Sequence, residues 1–173
     1  GEPMLPEDIP GKVTGSPLPR VREWFPETLL WRPEIITDDN GEVTLEIPLA
    51  DSITAWRVTT SAVSSAGQLG GEQFPIRVFQ PFFVDLDLPG ALTRHDEVSV
   101  PVVVHNYLDK PQEVELTLQD AAWFTRLDAD EPLTLKLAPR EQRAIHIPLR
   151  VEHVGQQQLQ VTAIGSGISD AIK

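Results

Sequence analysis

Carboxylates are the most abundant groups in this sequence that could do chemistry. Asp85 and Asp87 stand two residues apart, so both lie on one face of a predicted strand, where paired carboxylates could serve acid–base catalysis as in glycosidases. Like charges beside an apolar face are ordinary solubilising groups, and we predict no catalysis there. The acidic run 128–131 offers the oxygens that calcium prefers, but it lacks the spacing of an EF-hand loop. We therefore predict no metal site and keep this loop as the best alternative.

Histidines and nucleophiles give no stronger signal. The four histidines, His95, His105, His146 and His153, lack metal-ligand spacing, and we expect His105 and His146 to face solvent from strands. Ser166 lies outside any Gly-x-Ser-x-Gly elbow. The chain has no cysteine, which excludes disulfides, thiolate metal sites, cysteine nucleophiles and thioesters formed by this segment. The sequence predicts no catalytic residue and no cofactor.

The charge balance excludes two classes of partner. The 173 residues include 26 Asp and Glu against 14 Lys and Arg, which gives a formal net charge of −12. Affinity for nucleic acid or an anionic membrane comes largely from Lys and Arg, and no basic patch is present. No apolar run approaches the roughly 20 residues of a spanning helix. We predict no nucleic-acid binding and no direct insertion into a membrane.

Four tryptophans are the remaining candidates for ligand contact. Trp24, Trp31, Trp56 and Trp123 could form a platform for sugars, but core or interdomain packing is the commoner use of such side chains. We expect packing, and for Trp56, inside an alternating strand, a place in the core.

The elements that must position these residues are strands. Residues 43–49 alternate apolar and polar side chains, and Asn40-Gly41 accepts the positive φ of a tight hairpin turn. We therefore predict that residues 29–36 pair with residues 43–49. Further strands are predicted at 53–63 and 74–78, on either side of a glycine-rich loop at 64–71.

A second series of strands follows Pro81. Its six members are predicted at residues 82–88, 98–104, 114–118, 133–137, 145–151 and 159–163. A fibronectin-type sandwich has seven strands, and four strands are too few to close one. The sequence thus predicts an all-β chain of immunoglobulin-like or fibronectin type III-like sandwiches, with the first module incomplete.

Four motifs follow one another along the chain: an aromatic-proline-acid entry into a strand, a Trp-containing strand, a Gln-Pro-Phe-Phe entry into the second series, and an Asn-Tyr pair. Their residues are Trp24, Phe25, Pro26, Glu27, Trp31, Trp56, Gln80, Phe82, Phe83, Asn106 and Tyr107. Together, in this order, the motifs closely resemble the alpha-2-macroglobulin and complement-component family, and the resemblance covers residues 20–173.

The resemblance implies a domain plan. Residues 20–80 would be the second part of a split macroglobulin-like domain, and residues 81–173 the next such domain without its last strand. Residues 1–19 contain five prolines and would be a linker, or an arm flanking the bait region of a protease inhibitor. Lys12, Arg20 and Arg22 would then be candidate cleavage points, since an extended segment is easily nicked.

The resemblance also implies a function. Members of the family trap proteases when bait cleavage triggers a collapse around the enzyme. This segment lacks the Cys-Gly-Glu-Gln thioester motif and would be a non-catalytic scaffold, with target proteases and other domains of the parent chain as partners. The missing cysteines favour a bacterial relative, periplasmic or secreted, whose parent could be lipid-anchored to the inner membrane. The alternative is a generic surface-binding or adhesion sandwich.

Overall fold

The computed structural model describes residues 19–128 and 133–173, and these residues form eleven β-strands and no helix. In chain order the strands are β1 (Val21–Arg22), β2 (Ala55–Val63), β3 (Leu69–Arg77), β4 (Phe82–Leu86), β5 (Glu97–Asn106), β6 (Gln112–Leu118), β7 (Phe124–Arg126), β8 (Thr134–Leu137), β9 (Gln142–Val151), β10 (Val161–Ile164) and β11 (Ser169–Ile172). A helix long and apolar enough to cross a bilayer is absent from these two ranges. The predicted all-β class is confirmed.

Nine of the strands form a β-sandwich. One sheet has the order β1-β11-β10-β6-β8 and the other the order β4-β5-β9-β7, with every pair antiparallel except β1 and β11. Strand β5 illustrates the cause, because Val100, Val102 and Val104 are fully buried between less buried neighbours. Each such side chain contributes about 1.5–3 kcal/mol by leaving water. The inward alternation on both sheets builds one core.

Strands β2 and β3 form a separate two-stranded ribbon. They pair over nine positions, from Ala55 with Arg77 to Val63 with Leu69, and among the described strands they bond only to each other. Most of their side chains are exposed. The predicted loop at 64–71 is shorter in the structure, because β3 already begins at Leu69. A ribbon of this kind is marginal in water without a covering layer.

The predicted hairpin of residues 29–36 with 43–49 is wrong, although its turn is present. Gly41 has φ +81°, and the Asp38 carboxylate accepts hydrogen bonds from the amides of Asn40 and Glu42 at 2.9 Å. The flanking segments are not assigned to strands, and most of their apolar side chains lie in solvent. Two strands gain stability when their apolar face is covered, and no described element covers this one.

The count of six strands after Pro81 is also wrong, since the structure has eight. The two additional strands are β7, which has three residues and shows no alternation, and β11, whose sequence Ser-Asp-Ala-Ile carries a charge among its buried residues. The missing last strand was implied by the resemblance and agreed with the count of six, so the support from the count is gone. The domain boundaries themselves stay predictions.

Candidate functional site

Arg22 is buried, which is rare for arginine without a partner. Its side chain is 5% exposed and belongs to β1, which pairs in parallel with β11. The Nε atom donates to both carboxylate oxygens of Asp170 at 3.1 and 3.2 Å, and Nη2 donates to Oδ2 at 2.9 Å. Asp170, on β11, is equally buried. Charge-assisted contacts through a planar guanidinium are strong and directional, so they fix how β1 lies on the sheet.

The same two side chains join the two sheets of the sandwich. Arg22 Nη2 donates to the carbonyl oxygen of Val84 at 2.6 Å, and the Val84 amide donates to Asp170 Oδ2 at 3.0 Å. Val84 lies in β4, the edge strand of one sheet, whereas β1 and β11 belong to the other. The Arg22–Asp170 pair therefore links β1 and β11 of one sheet to β4, an edge strand of the other.

Asp51 also binds residues 20–24, through both its side chain and its backbone. Its Oδ2 atom accepts hydrogen bonds from the Glu23 and Trp24 amides at 3.1 and 3.0 Å, and its backbone amide donates to the Trp24 carbonyl at 3.0 Å. Oδ1 lies 2.7 Å from Arg20 Nη2, and Arg22 Nη1 donates to the Asp51 carbonyl at 3.4 Å. We call Arg22, Asp51, Val84 and Asp170 the Arg22 joint.

The electrostatics of the joint favour the ionised form of Asp51. Burial by itself would raise the pKa of Asp51, but the amides of Glu23 and Trp24 and the charges of Arg20 and Arg22 outweigh it. The pKa therefore lies below its ordinary value. The Arg22 guanidinium carbon also lies 5.9 Å from the ring centroids of Phe25 and Phe83, within the range of cation–π attraction. Charges paired in this way hold segments together, and both carboxylates of the joint are engaged in such contacts.

His105 borders the joint, and our prediction that it faces solvent is wrong. Its side chain is 14% exposed, and its ring stacks on Phe83 with 4.3 Å between centroids. Nε2 lies 3.3 Å from Asp85 Oδ2, while Tyr107 stacks farther along the same row. An aromatic neighbour on the paired strand therefore covers a position that alternation alone assigns to solvent. His146 is exposed, as predicted.

Some of the family-motif residues are structural anchors of the sandwich. Phe82 and Phe83 are buried at the start of β4. Asn106, at the end of β5, is also buried, and its side-chain amide donates to the carbonyls of Lys110 and Ala138 at 2.9 Å. The other motif positions range from half-buried to exposed, namely Trp24, Phe25, Pro26, Glu27, Trp31, Trp56, Gln80 and Tyr107.

The tryptophans divide between the core and the surface. Trp123 packs in the core and donates its indole N–H to the Gln158 carbonyl at 2.9 Å. The prediction that Trp56 lies in the core is wrong, because its side chain is half-buried on the β2–β3 ribbon outside that core. Its indole nitrogen has no hydrogen-bond partner among the described residues. Trp31 is 81% exposed, so it is not a core residue of this chain. Interdomain packing by the exposed tryptophans stays a prediction.

The candidate cleavage points differ in accessibility. The Arg20 side chain is 79% exposed, whereas Arg22 is held in the joint, and Lys12 lies outside the described residues. Burial argues against cleavage after Arg22 in this conformation. In the acidic run, Asp128 pairs with Arg126, and residues 129–131 lie outside the described ranges. Within those ranges, no three His, Asp or Glu side chains are grouped to hold a metal ion.

The Arg22 joint was not anticipated from the sequence. Arg22 and Asp170 are 148 positions apart, and Arg22 and Asp51 are 29 apart. The one available signal was an Asp inside the apolar end of the chain, Asp170-Ala171-Ile172, where a buried carboxylate requires a cationic partner. That signal does not say which of the 14 basic residues is the partner.

Comparisons with known proteins agree on one family. The sequence model of the alpha-2-macroglobulin family matches residues 28–118. The chain is 29% identical to complement C3 of Eptatretus burgeri in an alignment 163 residues long, and this alignment covers 88% of this chain and 10% of that protein. It resembles the structure of trypsin-activated alpha-2-macroglobulin from Escherichia coli with a TM-score of 0.64, at 24% identity, over 78% of this chain and 9% of that one.

A second structural relative gives the same fold and the same extent. The structure of a Salmonella alpha-2-macroglobulin mutant matches with a TM-score of 0.54, at 24% identity, over 76% of this chain and 8% of that one. The chain thus spans about a tenth of the length of the relatives it matches. The match of the family model over more than half of the chain confirms the resemblance seen in the motifs. The chain belongs to the alpha-2-macroglobulin family.

Proposed function

We propose that this chain is a non-catalytic structural segment of an alpha-2-macroglobulin-like endopeptidase inhibitor. Its role is to hold the segment after the arm in one position relative to two modules. The observation that carries the proposal is the docking of residues 20–24, which contact Asp51 of the first module and Asp170 of the second at the same time. A displacement of the arm after bait cleavage would reach both modules through this joint.

The exposed apolar surface of residues 24–79 supports a role inside a larger chain. Its side chains include several that a soluble domain normally buries. The most exposed are Trp31, Ile36, Val63, Leu69 and Phe79. Because the relatives are about ten times longer than this chain, upstream segments of the parent protein are the natural cover for this surface.

The same surface is the one observation that favours the second candidate, a surface-binding or adhesion module. In that case the apolar side chains would contact a separate protein. Reading the parent gene distinguishes the two functions. The inhibitor requires a series of similar sandwich domains upstream, and a downstream Cys-Gly-Glu-Gln would mark a thioester member. If neither is present, the inhibitor proposal fails.

The trapping activity is tested on the parent protein. Addition of trypsin should cut the arm and convert the parent to a more compact form, measured as faster migration on a native gel or a smaller hydrodynamic radius. The control is the parent with Lys12, the one basic residue of the arm, replaced by glutamine, which should stay in the uncut form. Unchanged mobility after cleavage in the arm would contradict the collapse.

Hydrogen exchange tests what covers the first module. In the isolated chain, amides of residues 27–80 should exchange quickly, while β5 and β9 stay protected by the core. In the parent protein the ribbon should gain protection. Strong protection of residues 27–80 in an isolated monomer would contradict the proposed packing. For the parent we also propose a location outside the cytoplasm, periplasmic or secreted, with a lipid anchor at the inner membrane as one form.

A further inference from the structure

The backbone after Arg20 is engaged along its length by the joint. The Arg22 carbonyl accepts a hydrogen bond from the Lys173 amide at 2.9 Å beside the β1–β11 pair. Asp51 takes the Glu23 and Trp24 amides through its carboxylate, and the Trp24 carbonyl through its own amide. A protease binds its substrate as an extended strand through these same backbone groups, on both sides of the scissile bond. None of the engaged groups can therefore pair with a protease while the segment is docked.

The side chains add a second obstacle to cleavage. A trypsin-like enzyme must draw the Arg or Lys side chain into its own pocket. Arg22 is 5% exposed and bound to Asp170, so its side chain cannot enter such a pocket. Arg20 is 79% exposed, but the residues that follow its scissile bond are those that β11 and Asp51 hold. Cleavage at either position requires β1 to leave the sheet.

One charge controls whether β1 stays docked. The β1–β11 ladder is only two residues long, too short to hold a strand alone. Asp170 accepts three hydrogen bonds from Arg22 and one from Val84. We propose that the Arg22 joint is a protease shield, in which Asp170 holds β1 on the sandwich and thereby blocks cleavage after Arg20 and Arg22. The shield fixes the downstream limit of any cleavable arm, whether or not the parent traps proteases.

Limited trypsinolysis of the 173-residue chain tests the shield. The time course is followed by mass spectrometry, with separate rates for cleavage after Arg20, Arg22 and Arg150. Arg150 lies near the end of β9, an inner strand that pairs there with both β5 and β7, so cleavage after Arg150 reports global unfolding. We expect the wild-type chain to resist cleavage after Arg20 and Arg22. In Asp170→Asn, both rates should rise about tenfold or more, while the rate after Arg150 stays low, because proteolysis follows the population of the open form.

Two further variants make the test specific. Arg22→Lys keeps the charge and the trypsin site but loses the planar fork, so its rates should lie between those of the wild type and Asp170→Asn. Glu97→Gln removes an exposed pair with Arg150 at 2.7 Å and should leave the rates after Arg20 and Arg22 unchanged. Equal rates in the wild type and Asp170→Asn would overturn the proposal. Rapid wild-type cleavage after Arg20 or Arg22 would also overturn it, as would rates after Arg20 and Arg22 in Asp170→Asn that do not exceed the rate after Arg150, since cleavage would then follow global unfolding.

Discussion

Removing one charge of the Arg22–Asp170 pair should cost more stability than removing both. The structure gives a direct route to this test, because Asp170→Asn and Arg22→Met change side-chain charge while approximately keeping volume. Combined, they complete a double-mutant cycle. The pair is buried on both sides, so solvent does not screen the effect of a single change.

The magnitudes follow from what each variant leaves behind. Breaking a buried pair by removing one partner costs about 3–5 kcal/mol. Asp170→Asn should lower the free energy of unfolding by about 3 kcal/mol, at the low end of this range, because the guanidinium keeps the Val84 and Asp51 carbonyls as acceptors. The double variant has no unpaired charge, and the asparagine oxygen can still accept from the Val84 amide. It loses mainly the hydrogen bond to the Val84 carbonyl, or about 1 kcal/mol.

Urea denaturation measures the cycle. The unfolding of the sandwich can be followed by circular dichroism and by the fluorescence of Trp123, which lies in the core. The two single losses together should exceed the loss in the double variant by about 2 kcal/mol or more. Asp109→Asn, which removes an exposed pair with Arg140, is the control and should leave the midpoint unchanged. Additive single losses would refute the claim that the two charges act as a unit.

Three more predictions concern single positions. Asn106→Ala removes three part-buried hydrogen bonds, two to backbone carbonyls and one from a backbone amide, and it should lower the free energy of unfolding by about 2–3 kcal/mol in urea; a loss under about 1 kcal/mol would contradict the role of its side chain. Gly165→Ala puts a Cβ 2.8 Å from Gln112 Oε1 and should lower the thermal midpoint, whereas Gly90→Ala, in open space, should not. Because the pKa of Asp51 is lowered on folding, its contribution is present above its unfolded pKa of about 3.9 and is lost as pH falls through the lower folded value. Asp51→Asn should flatten the stability curve on the acid side of about pH 5, measured as the urea midpoint against pH.

The sandwich strands were predictable because their alternation is satisfied within the chain. The alternation of residues 98–104 predicts a strand with one buried face. Strand β5 includes these residues, and Val100, Val102 and Val104 are buried in the core. Strand β11 escaped prediction for a physical reason. Its buried Asp170 breaks the apolar pattern, and the pattern cannot reveal that Arg22 neutralises it. Short strands that carry a paired charge are therefore hard to find from periodicity.

Residues 43–49 show the opposite error, a strand that was predicted and is absent from the structure. Residues 43–49 alternate as clearly as any strand of the sandwich, yet Val43 and Leu45 lie in solvent without strand pairing. Alternation predicts a face that needs cover, and it cannot say whether the cover lies in the same segment. The turn at Gly41 formed as predicted because turn chemistry is local. The pairing failed because it depends on a layer that no described residue supplies.

The chemistry of the joint suits a contact that must be specific and also releasable. An apolar contact would hold β1 only through the surface area that it buries, and it would tolerate a shift in the pairing register of β1. The Arg22 fork instead satisfies its donors in one position, against Asp170, Val84 and Asp51 together. A buried ion pair gains little net free energy over its cost of desolvation, but removal of one partner is costly, so the pair defines the docked geometry sharply and holds it only while both charges are in place. The role that we propose for this segment, a joint between two modules behind a proline-rich arm, needs this combination, because a joint that is only strong could not change, and a joint that is only weak would not transmit the change.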